Sequence, residues 1–296
     1  MSQVIGVIGL GNMGRNMAAT LVNHSFSVIG FDLAETAREL AAEQGITPVS
    51  ELTSLTQQCS VIILSLPKAE HVEAVCLGET GLIQHVMPGT VIIDTTTSEA
   101  DTSRKVASAL AKRQVEFLDA PVSGGPAGAA AGTMSMVIGG NLESYNSVLP
   151  VLEAMSSVRV HVGDVGAGNI AKIANNFLAA AHLITTAEAL SMAEKAGVDP
   201  EKVLQAINAG SGRSGASQIM FPNWVMNKAY NSGFTMALMR KDVGLAKSLV
   251  EELGLDAPMV MQTATLWENS ATQLDDSDDF CCIAACTNNT LFGKEA

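Results

Sequence analysis

Basic residues are scarce in this chain of 296 residues, where 17 Lys+Arg stand against 30 Asp+Glu for a formal net charge of −13. Nucleic acid is therefore not an expected partner, because backbone binding needs clustered cations to displace condensed counterions. Cysteine is also sparse. Its five positions (Cys59, Cys76, Cys281, Cys282, Cys286) are odd in number, contain no CxxC pair and have no histidine at ligand spacing. Neither a disulfide framework nor a metal site is expected, and a reducing cytoplasm is the simplest setting. The five histidines, at positions 24, 71, 85, 161 and 182, are scattered and do not pair with carboxylates. Behind Met1-Ser2-Gln3 there is no basic n-region leading to an apolar segment and a cleavage site, so secretion is not signalled. The longest helix-like apolar stretch, about residues 170–194, contains Asn175, Asn176, His182, Glu188 and Glu194. Those groups are costly in lipid, so the stretch reads as a buried helix and no membrane partner is expected.

Apolar residues are plentiful, at 47% hydrophobic against 16% charged, enough to build one large or two modest folded domains. Short β-branched runs at 4–10, 26–31, 61–66, 90–94 and 115–118 alternate with segments of helical spacing. Runs apolar on both faces and joined by helices predict a doubly wound parallel sheet covered on both sides, an α/β architecture of Rossmann type. Two further strand candidates, 134–138 and 158–162, complete the sheet. Beyond about residue 164 the strand signal disappears and Ala, Leu, Met and Glu recur at helical spacing. The expected organisation is thus a Rossmann-type α/β domain over 1–163 and an all-helical domain over 164–296. Asp199-Pro200 suits a helix start, and Asp275, Asp276, Asp278 and Asp279 precede an apolar segment where acids suit a helix N-terminus. The acidic cluster also raises calcium, but it lacks the loop glycine and the terminal glutamate.

The chemistry-bearing motifs begin with Gly9-Leu10-Gly11-Asn12-Met13-Gly14, a GxGxxG between the first strand and a helix. In that context the first glycine permits the tight turn and the second lets the backbone approach a pyrophosphate. The third lets strand and helix pack closely. Asp32 ends the second strand 18 residues past Gly14, close to the roughly 20 expected of the acid that holds a ribose 2′-hydroxyl. Its carboxylate repels a 2′-phosphate, and no arginine follows immediately, although Arg38 lies near; NAD is expected over NADP. Two more strand ends, Leu66-Pro67 and Asp94-Thr95-Thr96-Thr97, fall on the carboxyl edge where such sheets collect ligands. Thr96 and Thr97 suit the nicotinamide ribose or amide, and equally ordinary turn chemistry.

Asp119-Ala120-Pro121-Val122-Ser123-Gly124-Gly125 offers consecutive N–H groups able to form an anion nest for a carboxylate, or simply a glycine-rich connection. In Gly166-Ala167-Gly168-Asn169-Ile170-Ala171-Lys172-Ile173-Ala174-Asn175-Asn176, Lys172 and Asn176 lie one helical turn apart on one face. A lysine among apolar residues needs a reason, since burial opposes its charge.

Together with Lys241-Asp242-Val243-Gly244-Leu245-Ala246, these motifs resemble the β-hydroxyacid dehydrogenases over essentially the whole chain. The resemblance implies that Lys172 is the catalytic lysine and that Ser123, Gly124 and Gly125 hold the substrate carboxylate. It further implies that Asn176 binds substrate and that Lys241 lies beside the nicotinamide. It also implies a homodimer or homotetramer built through the helical domain. The reaction implied is oxidation of a small 3-hydroxy acid to its semialdehyde, with hydride passing to NAD and Lys172 as general acid/base. A free lysine titrates near 10.4, so base function near neutrality calls for burial or a nearby cation. The Ser211-Gly212-Arg213-Ser214 segment is closer to the 3-hydroxyisobutyrate dehydrogenases than to the tartronate semialdehyde reductases. Arg213 either grips a carboxylate or is an exposed loop arginine. 3-Hydroxyisobutyrate, serine, 3-hydroxypropionate and 4-hydroxybutyrate all stay open as substrates, as does the reductive direction on a semialdehyde. An imine reductase and a non-catalytic NAD-binding protein are the rivals; Lys172 counts against the first, and intact Lys172, Asn176 and Ser-Gly-Gly against the second.

Overall fold

Buried β-branched strands alternate with helices from the start of the computed structural model, which describes residues 3–293. The first part runs β1 (Val4–Ile8), α1 (Asn12–Asn23), β2 (Ser27–Phe31), α2 (Glu35–Ala42), β3 (Thr47–Val49), α3 (Leu52–Thr56), β4 (Val61–Leu64), α4 (Ala69–Leu77) and α5 (Leu82–His85). It continues β5 (Val91–Asp94), α6 (Ala100–Ala111), β6 (Glu116–Asp119), β7 (Val122–Ser123), α7 (Gly125–Ala131), β8 (Met134–Gly139), α8 (Leu142–Ser147), α9 (Leu149–Met155) and β9 (Ser156–Gly163). The strands form one sheet in the order β3-β2-β1-β4-β5-β6-β8-β7, with β9 paired to β8. The order reverses between β1 and β4, the switch point at which doubly wound sheets bind ligands.

The β1–β6 portion is parallel throughout, as expected. The full sheet is not, because β8 runs antiparallel to β6 and β7. Its apolar run signals a strand, but periodicity carries no information on direction. Two strands escape the sequence pattern altogether. β3 has three residues with Pro48 among them, at the sheet edge where proline is tolerated, and β7 has only two.

Alternate residues of the central strands feed opposite layers. Ile5, Val7, Val61, Ile63 and Ile93 pack with Met17 and Leu21 of α1 and with Leu152 of α9. On the other face Ile8, Ile62, Leu64 and Ile92 pack with Val72 of α4 and with Val106 and Leu110 of α6. Each such side chain, fully buried, contributes about 1.5–3 kcal/mol, which is why runs without polar alternation stay fixed as interior strands.

The rest is helical: α10 (Ala167–Lys195), α11 (Pro200–Ala209), a π-helix at Ala216–Val225, α12 (Met236–Glu252), α13 (Pro258–Asn269), α14 (Ile283–Thr287) and α15 (Asn289–Phe292), with 3₁₀ turns at Ser270–Thr272 and Phe280–Cys282. Its core gathers Leu183, Leu190, Phe221, Trp267, Phe280 and Phe292, with Phe221 edge-on to Phe292. The helix starts follow the acids as expected. Asp199 accepts from the Glu201 N–H at 2.9 Å ahead of Pro200, and Asp279 accepts from the Cys281 N–H at 3.0 Å. The chain divides into two compact units at Lys172/Ile173, inside α10, nine residues past the 163/164 division expected from the sequence. Among the described residues no helix is long and apolar enough to cross a membrane.

Candidate active site

The turn after β1 shows why three glycines stand where they do. Gly9 has φ +92°, and a Cβ there would lie 2.2 Å from the Ser65 carbonyl oxygen. A Cβ on Gly14 would lie 1.8 Å from the Gly9 carbonyl oxygen, so only glycine lets α1 start against the turn. Gly11 differs: a Cβ added there meets no atom within 4 Å. Gly11 is the N-cap of α1 and supplies no side-chain cap. The first N–H groups of the helix, through Asn12 and Met13, thus depend on an outside acceptor, and the dipole favours an anion. The open space at Gly11 leaves its backbone accessible to a group such as a pyrophosphate.

Asp32 is fixed at the end of β2. Its Oδ2 accepts from the Leu10 N–H at 2.7 Å and its Oδ1 from the Ala34 N–H at 2.8 Å. The carboxylate therefore stands beside the glycine turn, where a ribose diol would meet it. Arg38 folds back onto the same corner, donating from Nη1 to the carbonyls of Asp32 at 2.6 Å and Leu33 at 3.1 Å. Across the switch point, the Leu66 N–H donates to Thr96 Oγ1 at 3.1 Å, and the Thr96 N–H to Asp94 Oδ1 at 3.0 Å. Thr96 is buried and braces the two strand ends, with its hydroxyl hydrogen left to donate; Thr97 is half-buried and Pro67 exposed.

The structure brings Lys172 and Ser123 together. Lys172 Nζ donates to Ser123 Oγ at 2.7 Å, and the lysine is only 7% exposed. Ser123 is held on β7 opposite Ser135 of β8, and Gly124 and Gly125 follow with φ +123° and +60°. Lys172 comes from the second turn of α10, whose start is anchored by a residue that sequence spacing did not single out. Asp119, fully buried at the end of β6, accepts from the Gly166 N–H at 2.7 Å and the Asn169 N–H at 2.9 Å. Burial pushes the Asp119 carboxyl above its ordinary value, and those N–H bonds pull it part of the way back. Asn169 adds a tie to α6 through Nδ2 and Ser103 Oγ at 2.8 Å.

In the second unit, Asn176 Nδ2 donates to Asp242 Oδ2 at 2.5 Å, and both residues are buried. Asn175 Nδ2 donates to Asn176 Oδ1 at 3.0 Å. Asp242 thereby fixes which way the Asn176 amide points, a role invisible from its place beside half-buried Lys241. Arg213 is exposed and its Nη1 donates to the Gly210 carbonyl at 3.0 Å, at the end of α11.

Comparison with known proteins gives the family. Residues 4–163 match the NAD-binding domain of 6-phosphogluconate dehydrogenase. Residues 166–286 match a domain described as the NAD-binding of NADP-dependent 3-hydroxyisobutyrate dehydrogenase. A 3-hydroxyisobutyrate dehydrogenase of Pseudomonas aeruginosa is 38% identical over 86% of this chain and 88% of that protein. The chain belongs to the β-hydroxyacid dehydrogenase family. An NAD-dependent L-serine dehydrogenase of the same organism is 35% identical, with the same shares covered. The structure of Mycobacterium tuberculosis 3-hydroxyisobutyrate dehydrogenase with L-serine matches at a TM-score of 0.91 and 33% identity, covering 97% of this chain and all of that one.

As a β-hydroxyacid dehydrogenase, the protein is an NAD-dependent oxidoreductase. Among the described residues no group of three or more His, Cys, Asp or Glu could hold a metal ion. Burial also pushes the Cys59 thiol up to about 12, which removes it as a nucleophile near neutral pH.

Proposed function

We propose that this dehydrogenase oxidises the primary alcohol of a small 3-hydroxy acid, such as 3-hydroxyisobutyrate or serine, to the semialdehyde, with Lys172 as the general acid/base. The observation that carries the reading is the buried Lys172 Nζ held 2.7 Å from Ser123 Oγ. Bound NAD supplies the hydride acceptor. Lys172 takes the proton of the substrate hydroxyl, and in the reverse direction its ammonium donates to the carbonyl oxygen as negative charge develops there. Ser123 accepts from Lys172, so its own O–H is free to donate to a substrate oxygen. Gly124 and Gly125 carry no side chain that would keep a carboxylate from their N–H groups.

Asp32 would accept from the adenosine ribose, and Leu66, Pro67, Thr96 and Thr97 would border the nicotinamide half. Asn176, one turn beyond Lys172 on α10, would bind substrate with its amide oriented by Asp242. Lys241 would serve the nicotinamide and Arg213 a substrate carboxylate. Assembly as a dimer or tetramer in the cytoplasm belongs to the same reading.

The test is initial-rate NADH formation across small hydroxy acids, with NAD and NADP in parallel and Lys172→Ala as control. One primary-alcohol acid is expected to turn over with NAD, and the variant to lose about 10²–10⁴-fold. A variant that keeps both the rate and the pH profile of kcat/KM refutes the role of Lys172.

A further inference from the structure

Asp119 stands at the junction of the two segments that carry the reacting pair. It ends β6, and Ser123 lies four residues downstream. Its carboxylate takes the N–H groups of Gly166 and Asn169 at 2.7 and 2.9 Å, and Lys172 lies one helical turn beyond Asn169. The ring closes through the Lys172 Nζ to Ser123 Oγ bond at 2.7 Å. The packing around the carboxylate leaves no slack. A Cβ on Gly168 would lie 2.6 Å from the Asp119 carbonyl oxygen and 2.9 Å from Oδ2, and one on Gly139 would lie 2.6 Å from Oδ1. The start of α10 therefore sits directly on this side chain, at a distance that small residues on both sides set.

We propose that Asp119 is a positioning residue that sets the separation of Lys172 from Ser123 by tying the start of the lysine helix to the strand end that leads to the serine. The proposal rests on the reading of Lys172 as acid/base. An ordinary helix cap would also accept these N–H groups, but capping alone does not require the capping residue to sit on the segment that leads to the lysine's partner. A shift of about 1 Å between reacting groups costs on the order of a hundredfold, so slack at this tie reads out in turnover.

The experiment compares wild type, Asp119→Asn, Ser123→Ala, the double variant and Lys172→Ala, measuring kcat, KM, NAD affinity by fluorescence and the unfolding midpoint. Asp119→Asn keeps the shape but presents an amide N–H₂ to one of the backbone donors. Its kcat is expected to fall about 10- to 100-fold with NAD affinity unchanged. In the Ser123→Ala background the same substitution should cost less than about threefold, because the separation it protects has already lost its partner. If Asp119→Asn holds kcat within about twofold while its midpoint falls, or if its cost is undiminished beside Ser123→Ala, the positioning role is overturned and Asp119 is a cap. If Lys172→Ala turns over like wild type, the reading of Lys172 fails and the positioning role fails with it. Should Asp119→Asn not fold, Gly168→Ala, which pushes the helix start off an intact carboxylate, carries the same expectation and the same refutation.

Discussion

Two alanine substitutions three residues apart in the glycine turn should have opposite consequences, and the pair tests whether the cofactor's pyrophosphate crosses this backbone. At Gly14 the added Cβ would lie 1.8 Å from the Gly9 carbonyl oxygen and 3.1 Å from the Ser65 Cβ. Neither neighbour is the free end of a flexible side chain, so α1 must move off the turn. Overpacking of this kind costs about 1–3 kcal/mol, or roughly 2–12 °C in the unfolding midpoint at about 2–4 °C per kcal/mol. At Gly11 the same methyl meets no atom within 4 Å, and φ is −63°, so any residue can adopt that backbone. Gly11→Ala should leave the midpoint of the ligand-free protein within the roughly 0.5 kcal/mol of a neutral surface change. Its methyl would project where a phosphate must come close to the N–H groups at the start of α1. Losing one or two charge-assisted bonds at about 1.5–3 kcal/mol each corresponds to at least about tenfold in NAD affinity. The assays are thermal unfolding with and without NAD and a fluorescence titration of NADH. Gly11→Ala should unfold like wild type without ligand and lose most of the stabilisation that NAD gives wild type. Wild-type NAD affinity in Gly11→Ala would refute the placement of the pyrophosphate at this turn, whatever Gly14→Ala does.

Asp32→Ala should lower the ratio of kcat/KM with NAD to that with NADP by at least about tenfold, because it removes a carboxylate that repels a 2′-phosphate and leaves Arg38 on the same corner; an unchanged ratio would show that Asp32 does not face the ribose. Cys59 ionises in the fold only near pH 12, against an ordinary value of 9.0. Its stabilising contribution is therefore complete below pH 9 and is lost as pH climbs toward 12. The unfolding midpoint should fall over that window, and less steeply in Cys59→Ala, which thermal scans at stepped pH would check. Cys286 is the one half-buried thiol beside four buried ones, so alkylation of native protein should mark Cys286 first, and mass spectrometry finding Cys59 or Cys76 modified earlier would contradict the burial.

Much of the nucleotide half is legible in the sequence because its signals are local. The glycine turn, the acid at the end of β2 and the strand ends at Leu66 and Asp94 each follow an apolar run directly, and the parallel order of β1–β6 follows from the helices between them. What escapes is what depends on partners distant in the chain. β3 and β7 are too short to show a period and exist because β2 and β8 offer them hydrogen bonds. The π-helix at Ala216–Val225 holds Pro222 within it, and its 10 residues span too few turns for an apolar period to tell it from an α-helix.

The candidate site divides in the same way, and the division has a physical cause. Lys172, Ser123 and Asn176 are recognisable by residue type within motifs, but Asp119 and Asp242, which hold the helix start and the Asn176 amide, take partners 47 to 66 residues away. A buried carboxylate must have its oxygens satisfied, and donors remote in the sequence serve both acids. In a chain with only 17 Lys+Arg for 30 Asp+Glu, many acids cannot be paired with cations at all. Neutral donors serve instead: backbone N–H groups at helix starts for Asp119, Asp199 and Asp279, and a side-chain amide for Asp242. Asp199 and Asp279 cap the helices that follow them directly, whereas Asp119, at the end of an apolar strand, takes the start of a helix 47 to 50 residues on. At Asp119 that anchoring reaches the helix that carries the proposed catalytic lysine.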